Sequence, residues 1–371
     1  MSAVAAIARA VGAALLGCAS SVAVAAPFEV EPHALLMLDA SSVNGRYAGG
    51  GVERRHRASV RRARLGLEGE IGERAAFEIA VDLEPEDGEV ELHELALGYR
   101  FAGGGELAAG FLKQPFGMEN NTSSRRLRTL ERSVATEAFV PDRAAGLLWE
   151  FAPDGGYLAA GAFVGPDADE TREASARAVW IPVDEKRSVL HLGLGVAYRD
   201  NAGERYRVRE DGGVDGGDDV VESARLAPES VATVGLEAAW ARGSASVQAE
   251  WFGQRPSGGE GAEGDSPLFT GGYVQGGWVL GGGRRKYSDG RFGALAGGDL
   301  ESPVELVAGV GLVDLVHDGR GDRARQYLLG ANVELGDRVR VAGQVQHLEV
   351  EGADGVVDRG DAVLLRLQLE L

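Results

Sequence analysis

A transmembrane antiparallel β-barrel of about sixteen strands is the fold that this sequence predicts, on three observations. Apolar and polar residues alternate with period two from about residue 57 to the C-terminus, in segments of roughly ten residues. Short and long connections alternate between those segments. No apolar run after Ala26 is long enough for a membrane helix, so any crossing must be made by strands.

The first 25 residues stand apart. Arg9, the apolar stretch Ala10–Leu16 and the small-residue site Ala23-Val24-Ala25 follow the order of a secretory signal peptide. Cleavage after Ala25 leaves residues 26–371 as the exported barrel. Leu15-Leu16-Gly17-Cys18 also resembles a lipoprotein signal, with a poorly matching Leu and a better cleavage site downstream. If Cys18 leaves with the signal, the remaining chain has no thiol chemistry.

The alternation is regular. Ala63, Leu65, Leu67 and Ile71 interleave with Arg62, Arg64, Glu68 and Glu70. Phe77, Ile79, Val81 and Leu83 interleave with Glu78, Ala80 and Asp82. Leu95, Leu97, Tyr99 and Phe101 lie against Glu94, Ala96, Gly98 and Arg100. The last segment sets Val363, Leu365, Leu367, Leu369 and Leu371 against Leu364, Arg366, Gln368 and Glu370. Short connections are expected at 72–74, 102–105, 152–156, 242–244 and 336–338. Long ones are expected at 45–56, 114–142, 200–230, 255–267 and 351–360. A barrel with both termini inside needs short inner turns and longer outer loops. The stretch 281–302 is long where a short turn is due.

A soluble all-β sandwich would also alternate. It would not contain so many long amphipathic segments, nor a second face charged on most strands. Aromatic residues are 6% of the chain, thin for two membrane girdles. Trp149, Trp180, Trp240, Trp251 and Trp278 are the candidates for a partial one.

Charge narrows the function. Removing Arg9 with the signal takes the 38 basic residues to 37 against 57 acidic, a net charge of −20. Such a chain does not bind nucleic acid, which requires a basic footprint. Only Lys113, Lys186 and Lys286 are lysines, and the other basic residues are arginine, suited to fixed contacts with oxyanions. The chain carries no Gly-x-Ser-x-Gly elbow, no His-Glu-x-x-His pair and no Walker loop, and no enzyme activity or cofactor is expected. Glu210–Asp219 is acidic but lacks the spacing of a calcium loop, and reads as a solvated outer loop.

Three blocks resemble the phosphate-selective porin O and P family. They are Arg61-Arg62-Ala63-Arg64-Leu65-Gly66, the run Gly110–Gly117 continued through Leu130–Ser133 and Ala138–Arg143, and Trp278–Leu280 with Arg284–Tyr287 and Gly290–Gly293. The resemblance implies a homotrimeric outer-membrane barrel of sixteen strands whose third loop folds inward to narrow the pore. It implies diffusion of small anions such as phosphate or polyphosphate; apart from the resemblance, the acidic outer loops are expected to meet outer-membrane lipid and lipopolysaccharide, sharing divalent ions with the latter. Carried over by motif, the candidate pore residues are Arg61, Arg62, Arg64, Glu94 and Lys113, with Arg125, Arg126, Arg128 and Arg132 in the loop. The acidic balance, the scarcity of lysine, the short chain and the non-aromatic Leu371 depart from the family pattern.

A pore that selects anions needs fixed cations where the ion is partly dehydrated. Arg62 and Arg64 have lumen parity. Arg61 has lipid parity and needs a bulge, or a place at the outer rim, to reach the pore. The alternative is that these arginines only balance lumen acids. Asp82, Glu106, Glu150, Glu237, Glu250, Glu305, Glu334 and Glu370 share the polar face, with Arg100, Arg340 and Arg366 as other bases. The expected function is passive diffusion of small hydrophilic solutes through an anion-biased constriction. The rival is a non-conducting barrel that binds at the surface or serves as structure.

Overall fold

Strands whose apolar side chains all point one way form a sheet that must hide that face from water or place it in lipid. Here the apolar face is on the outside. The computed structural model describes residues 28–83, 90–165, 171–201, 204–215, 217–258 and 266–371, so the expected signal segment lies outside the described residues.

Sixteen antiparallel strands close into one barrel. The first eight are β1 (Phe28–Gly45), β2 (Gly51–Ile71), β3 (Ala75–Leu83), β4 (Val90–Arg100), β5 (Glu106–Lys113), β6 (Arg143–Phe151), β7 (Gly156–Val164) and β8 (Arg172–Glu185). The others are β9 (Ser188–Asp200), β10 (Ser230–Arg242), β11 (Ala245–Ser257), β12 (Phe269–Val279), β13 (Val304–Asp314), β14 (Asp322–Leu335), β15 (Val339–Gly352) and β16 (Val357–Glu370). Each pairs with its neighbour in the chain, and β1 closes the ring on β16 from Leu35↔Glu370 to Val43↔Ala362.

Parity sorts the two faces. Along β9, Leu192, Leu194, Val196 and Tyr198 are exposed on the outside, while Val189 and His191 are buried toward the lumen. Four of the five tryptophans (Trp149, Trp180, Trp240 and Trp278) are exposed near the short-turn ends of their strands, with Tyr99 and Phe101 at the same level. The girdle is therefore largely one-sided, at the inner interface.

The inner turns are 72–74, 101–105, 152–155, 186–187, 243–244 and 336–338. Long outer connections lie at 114–142 and 201–229, as expected. Two expected long loops are short. The connections are 46–50 and 353–356, because β1, β2, β15 and β16 continue pairing beyond the apolar band. Up there neither face meets lipid, so the alternation that marks a strand disappears around Arg54–Arg57 and Asp358–Arg359. Walls thus differ in height: β1 and β2 run 18 and 21 residues, β5 to β7 only 8 or 9.

The inner connection 280–303 is long, as the sequence indicated. It folds into a two-stranded hairpin, Arg284–Ser288 against Arg291–Ala296.

Placing a guanidinium on the lipid face near mid-bilayer costs about 2–4 kcal/mol. Leu194→Arg is expected to lose that much in urea unfolding from lipid vesicles. A loss below about 0.5 kcal/mol, the scale of ordinary surface substitutions, would contradict the outward face of β9.

Candidate functional site

Loop 114–142, between β5 and β6, enters the lumen instead of covering the mouth. It carries short helices α1 (Met118–Asn121) and α2 (Val134–Phe139). Its backbone groups need partners once they leave bulk water, and the barrel wall supplies them. Glu250 of β11 accepts from the amides of Met118 and Glu119 at 2.7 and 2.8 Å. Glu119 in turn accepts from the Ser133 amide at 2.9 Å, the Thr136 hydroxyl at 2.6 Å and the Gln275 amide at 2.8 Å. Burial raises its carboxyl above the usual range in spite of these donors. Ser133 caps α2 by accepting from the Thr136 amide at 3.1 Å.

Wall arginines hold the middle of the loop. Arg340 donates to the carbonyls of Arg125 and Leu127 at 3.2 and 2.7 Å. Arg366 donates to that of Leu130 at 2.5 Å. Three guanidiniums converge on Glu131: Arg61 at 3.1 Å, Arg62 at 2.8 Å and Arg366 at 2.5 Å. Burial alone would raise the Glu131 carboxyl, but the three cations outweigh it and hold the group well below the usual carboxylate range. Arg61 reaches inward through a bulge. The β1–β2 register steps from Met37↔Arg62 to Leu38↔Val60, leaving Arg61 as the extra residue.

The inward loop, the fifth outer loop and the inner hairpin fill one side of the lumen. Phe116, Val134 and Phe139 pack there against Phe252, Val214 and Val220. Beside β1 to β6 a cavity of about 670 Å³ remains. Of the residues expected at the pore, Arg62, Arg64, Glu94, Lys113, Arg125 and Arg132 line it. Arg61, Arg126 and Arg128 do not. Arg61 is held by Glu131, and Arg126 pairs with Glu370 at 2.8 Å. Arg128 is buried against Ser246, Gln275 and Glu305, and burial brings its guanidinium down to about 10.

Within the cavity, Arg64 pairs with Asp82 at 2.8 Å, and His93 lies 3.1 Å from the same carboxylate. Arg143 pairs with Glu94 at 2.9 Å. Lys113 donates to the Asn120 carbonyl at 2.8 Å. Arg132 donates to the carbonyls of Glu119, Asn120 and Thr122 and stands 3.6 Å from Glu137. Arg291 of the inner hairpin lines the cavity as well, together with the carboxylates of Glu78, Glu91, Glu106, Asp142 and Glu150. His33 Nδ1, Ser124 Oγ and Arg143 Nε, all on residues lining this cavity, have no protein partner among the described residues.

Arg143 and Arg291 were not among the candidates, although both stood inside the quoted motif blocks. Their signal was position: each follows a turn residue at the start of a strand. Among the described residues no group of three histidines, cysteines or carboxylates is placed to hold a metal, and no helix is long and apolar enough to cross a membrane.

Sixteen strands, an inward-folded third loop and a residual charged channel define a porin-type barrel of the bacterial outer membrane. The chain belongs to the phosphate-selective porin O and P family, whose model matches residues 38–371. It is 28% identical over 261 residues to Porin O of Pseudomonas aeruginosa, covering 62% of this chain and 59% of that one. It is 29% identical over 258 residues to an uncharacterized protein of Caulobacter vibrioides, covering 63% and 50%. The chain thus spans between half and three-fifths of these relatives. Among solved structures, the anion-selective porin from Comamonas acidovorans superposes with a TM-score of 0.61 at 14% identity, covering 93% of this chain and 100% of that one. The outer membrane channel DcaP of Acinetobacter baumannii gives 0.62 at 12%, covering 93% and 97%. At such identities the likeness is one of fold. The family and the fold are those of channels, not of enzymes.

Breaking a buried ion pair on one side costs about 3–5 kcal/mol. Glu131→Gln is expected to lose on that order in unfolding and to broaden single-channel current noise as the loop loosens. Wild-type stability and noise would contradict the anchoring role.

The fifth outer loop gives a pH dependence. Burial, with Glu137, Asp211 and Asp219 nearby, pushes the Glu210 carboxyl up to about 9, and burial pushes Asp211 up to about 6. A carboxyl raised in the folded state lends stability that is fully present below its ordinary value of 4.5 and is lost as pH rises toward about 9. Tryptic cleavage at Arg209 is expected to accelerate across that window in the wild type and much less in Glu210→Gln. The same pH dependence in both would rule out Glu210 as the cause.

Proposed function

We propose that this barrel is a passive diffusion pore for small hydrophilic solutes, biased toward anions at the constriction beside its inward loop. The observation that carries the reading is the charge environment of Lys113. The guanidiniums of Arg132, Arg143 and Arg291 line the same cavity, where Arg143 is paired with Glu94 at 2.9 Å. Lys113 and Arg125 line the same cavity, and neither has a carboxylate within salt-bridge distance among the described residues. An anion entering there exchanges lost hydration for charge-assisted hydrogen bonds that the protein does not itself use up.

The acidic total of the chain does not contradict this reading. Several lumen acids serve internal contacts: Glu237 with Arg177, Glu305 with Arg285, Glu250 with the α1 amides. Arg62, Arg64 and the cluster around Lys113 then form the path along which a phosphate-like anion is steered. Export through cleavage after Ala25, contact with lipopolysaccharide and assembly as a homotrimer belong to the same proposal. OmpT of Vibrio cholerae, similar in fold with a TM-score of 0.55, has been solved in a trimer form.

A non-conducting barrel has one observation in its favour, the packed half of the lumen. Planar-bilayer recording separates the two readings. The purified protein is expected to carry current with an anion-directed reversal potential in a KCl gradient, reduced by added phosphate. Absence of current would favour the rival, and a clear cation preference would sink the anion bias. Lys113→Gln is expected to lower the anion-to-cation permeability ratio about twofold, the scale of one fixed charge in a screened pore.

A further inference from the structure

We infer that Arg291, on the inner hairpin, is a second selectivity residue, delivered to the cavity from the inner side by a buried clasp centred on Glu237. This rests on the pore reading above and adds to it a residue outside the inward loop and the β2 arginines.

Strand alternation places the side chain. Tyr287↔Phe292 and Ser288↔Arg291 are successive pairs of the hairpin, so Phe292 and Arg291 leave opposite faces. Phe292 is buried beside Met118 of the inward loop and Ala239 of β10, with the Arg128 guanidinium 5.5 Å from its ring centre. Arg291 accordingly lines the main cavity, with no carboxylate within 4 Å among the described residues. The tight Asp289-Gly290 turn, both residues with positive φ (49° and 71°), fixes where the returning strand begins.

The clasp fixes the turn to the wall. Arg177 of β8 donates to the Gly290 carbonyl at 2.7 Å and to both Glu237 oxygens at 2.8 and 2.6 Å. His191 of β9 lies 3.1 Å from Glu237 and 2.6 Å from the Tyr287 hydroxyl. At the hairpin base, Arg285 pairs with Glu305 at 2.6 Å and donates to the Arg126 carbonyl of the inward loop at 2.8 Å. The hairpin is therefore tied at tip and base, which fixes the backbone from which Arg291 enters the cavity. Glu237, Arg177, His191 and Tyr287 are positioning residues; Arg291 meets the solute.

Reversal potentials in a KCl gradient test this on the full-length barrel in planar bilayers. Arg291→Gln is expected to lower the anion-to-cation permeability ratio about twofold and Arg291→Glu further, with Arg291→Lys near wild type. Tyr287→Phe keeps the ring against Phe292 but removes the hydroxyl held by His191, and is expected to shift the ratio in the same direction by less. Glu237→Gln is expected to shift it likewise, and Tyr287→Phe carries the positioning test should that variant fail to fold. A conducting wild type whose reversal potential is unmoved in Arg291→Gln and Arg291→Glu overturns this inference and leaves the pore reading intact. A wild type without current overturns both.

Discussion

A peptide loop cannot lie inside a barrel unless each buried carbonyl and amide finds a partner, and this requirement organises the lumen. Wall side chains meet it: Glu250 for the amides opening α1, Arg340 and Arg366 for carbonyls between Arg125 and Leu130, Asn332 for the Arg128 carbonyl at 2.8 Å. Removing the loop would leave those groups facing one another across water. Wall and loop therefore form one polar network, and the channel is the space that the network leaves over.

The same network shows how a strongly acidic chain can keep basic and acidic side chains in balance along its cavity. Arginine donates through a planar fork, so one guanidinium can hold a carboxylate and a carbonyl together, as Arg366 does with Asp39, Glu131 and the Leu130 carbonyl. Acids on the filled side are consumed in such contacts. Around the cavity Glu94 is taken up by Arg143 and Asp82 by Arg64, while Lys113 and Arg125 have no carboxylate within salt-bridge distance among the described residues. Position, not totals, sets the local field.

Much of the fold was legible because lipid and water impose opposite demands on alternate residues. That signal counted sixteen strands and placed Arg62 and Arg64 in the lumen. It failed at the outer ends of β1, β2, β15 and β16, where both faces are wet and alternation carries no information. The site was half legible. Motif resemblance located the loop and the cavity-lining Lys113, Arg125 and Arg132, yet nothing local distinguishes Arg125 from Arg128, three residues along. One faces the cavity and the other is spent on β11 and β12, a difference set by how the loop's short turns meet the wall. Arg291 was hidden for a related reason. A hairpin at the inner end is indistinguishable in sequence from a long turn outside the barrel.

The unequal walls noted earlier shape the approach to the channel. Strands of 8 or 9 residues extend about 30 Å, and a tilt near 40° leaves about 23 Å of height, little more than the apolar band itself. The lip on β1 and β2 stands far higher. The mouth is therefore bevelled, and its low edge, at β5 and β6, borders the side of the lumen that stays open. Under the proposed pore function, an arriving solute crosses that edge at the level of the lipid headgroups. The ions condensed on the membrane surface, as much as the protein's own charges, then set the concentration from which the pore draws.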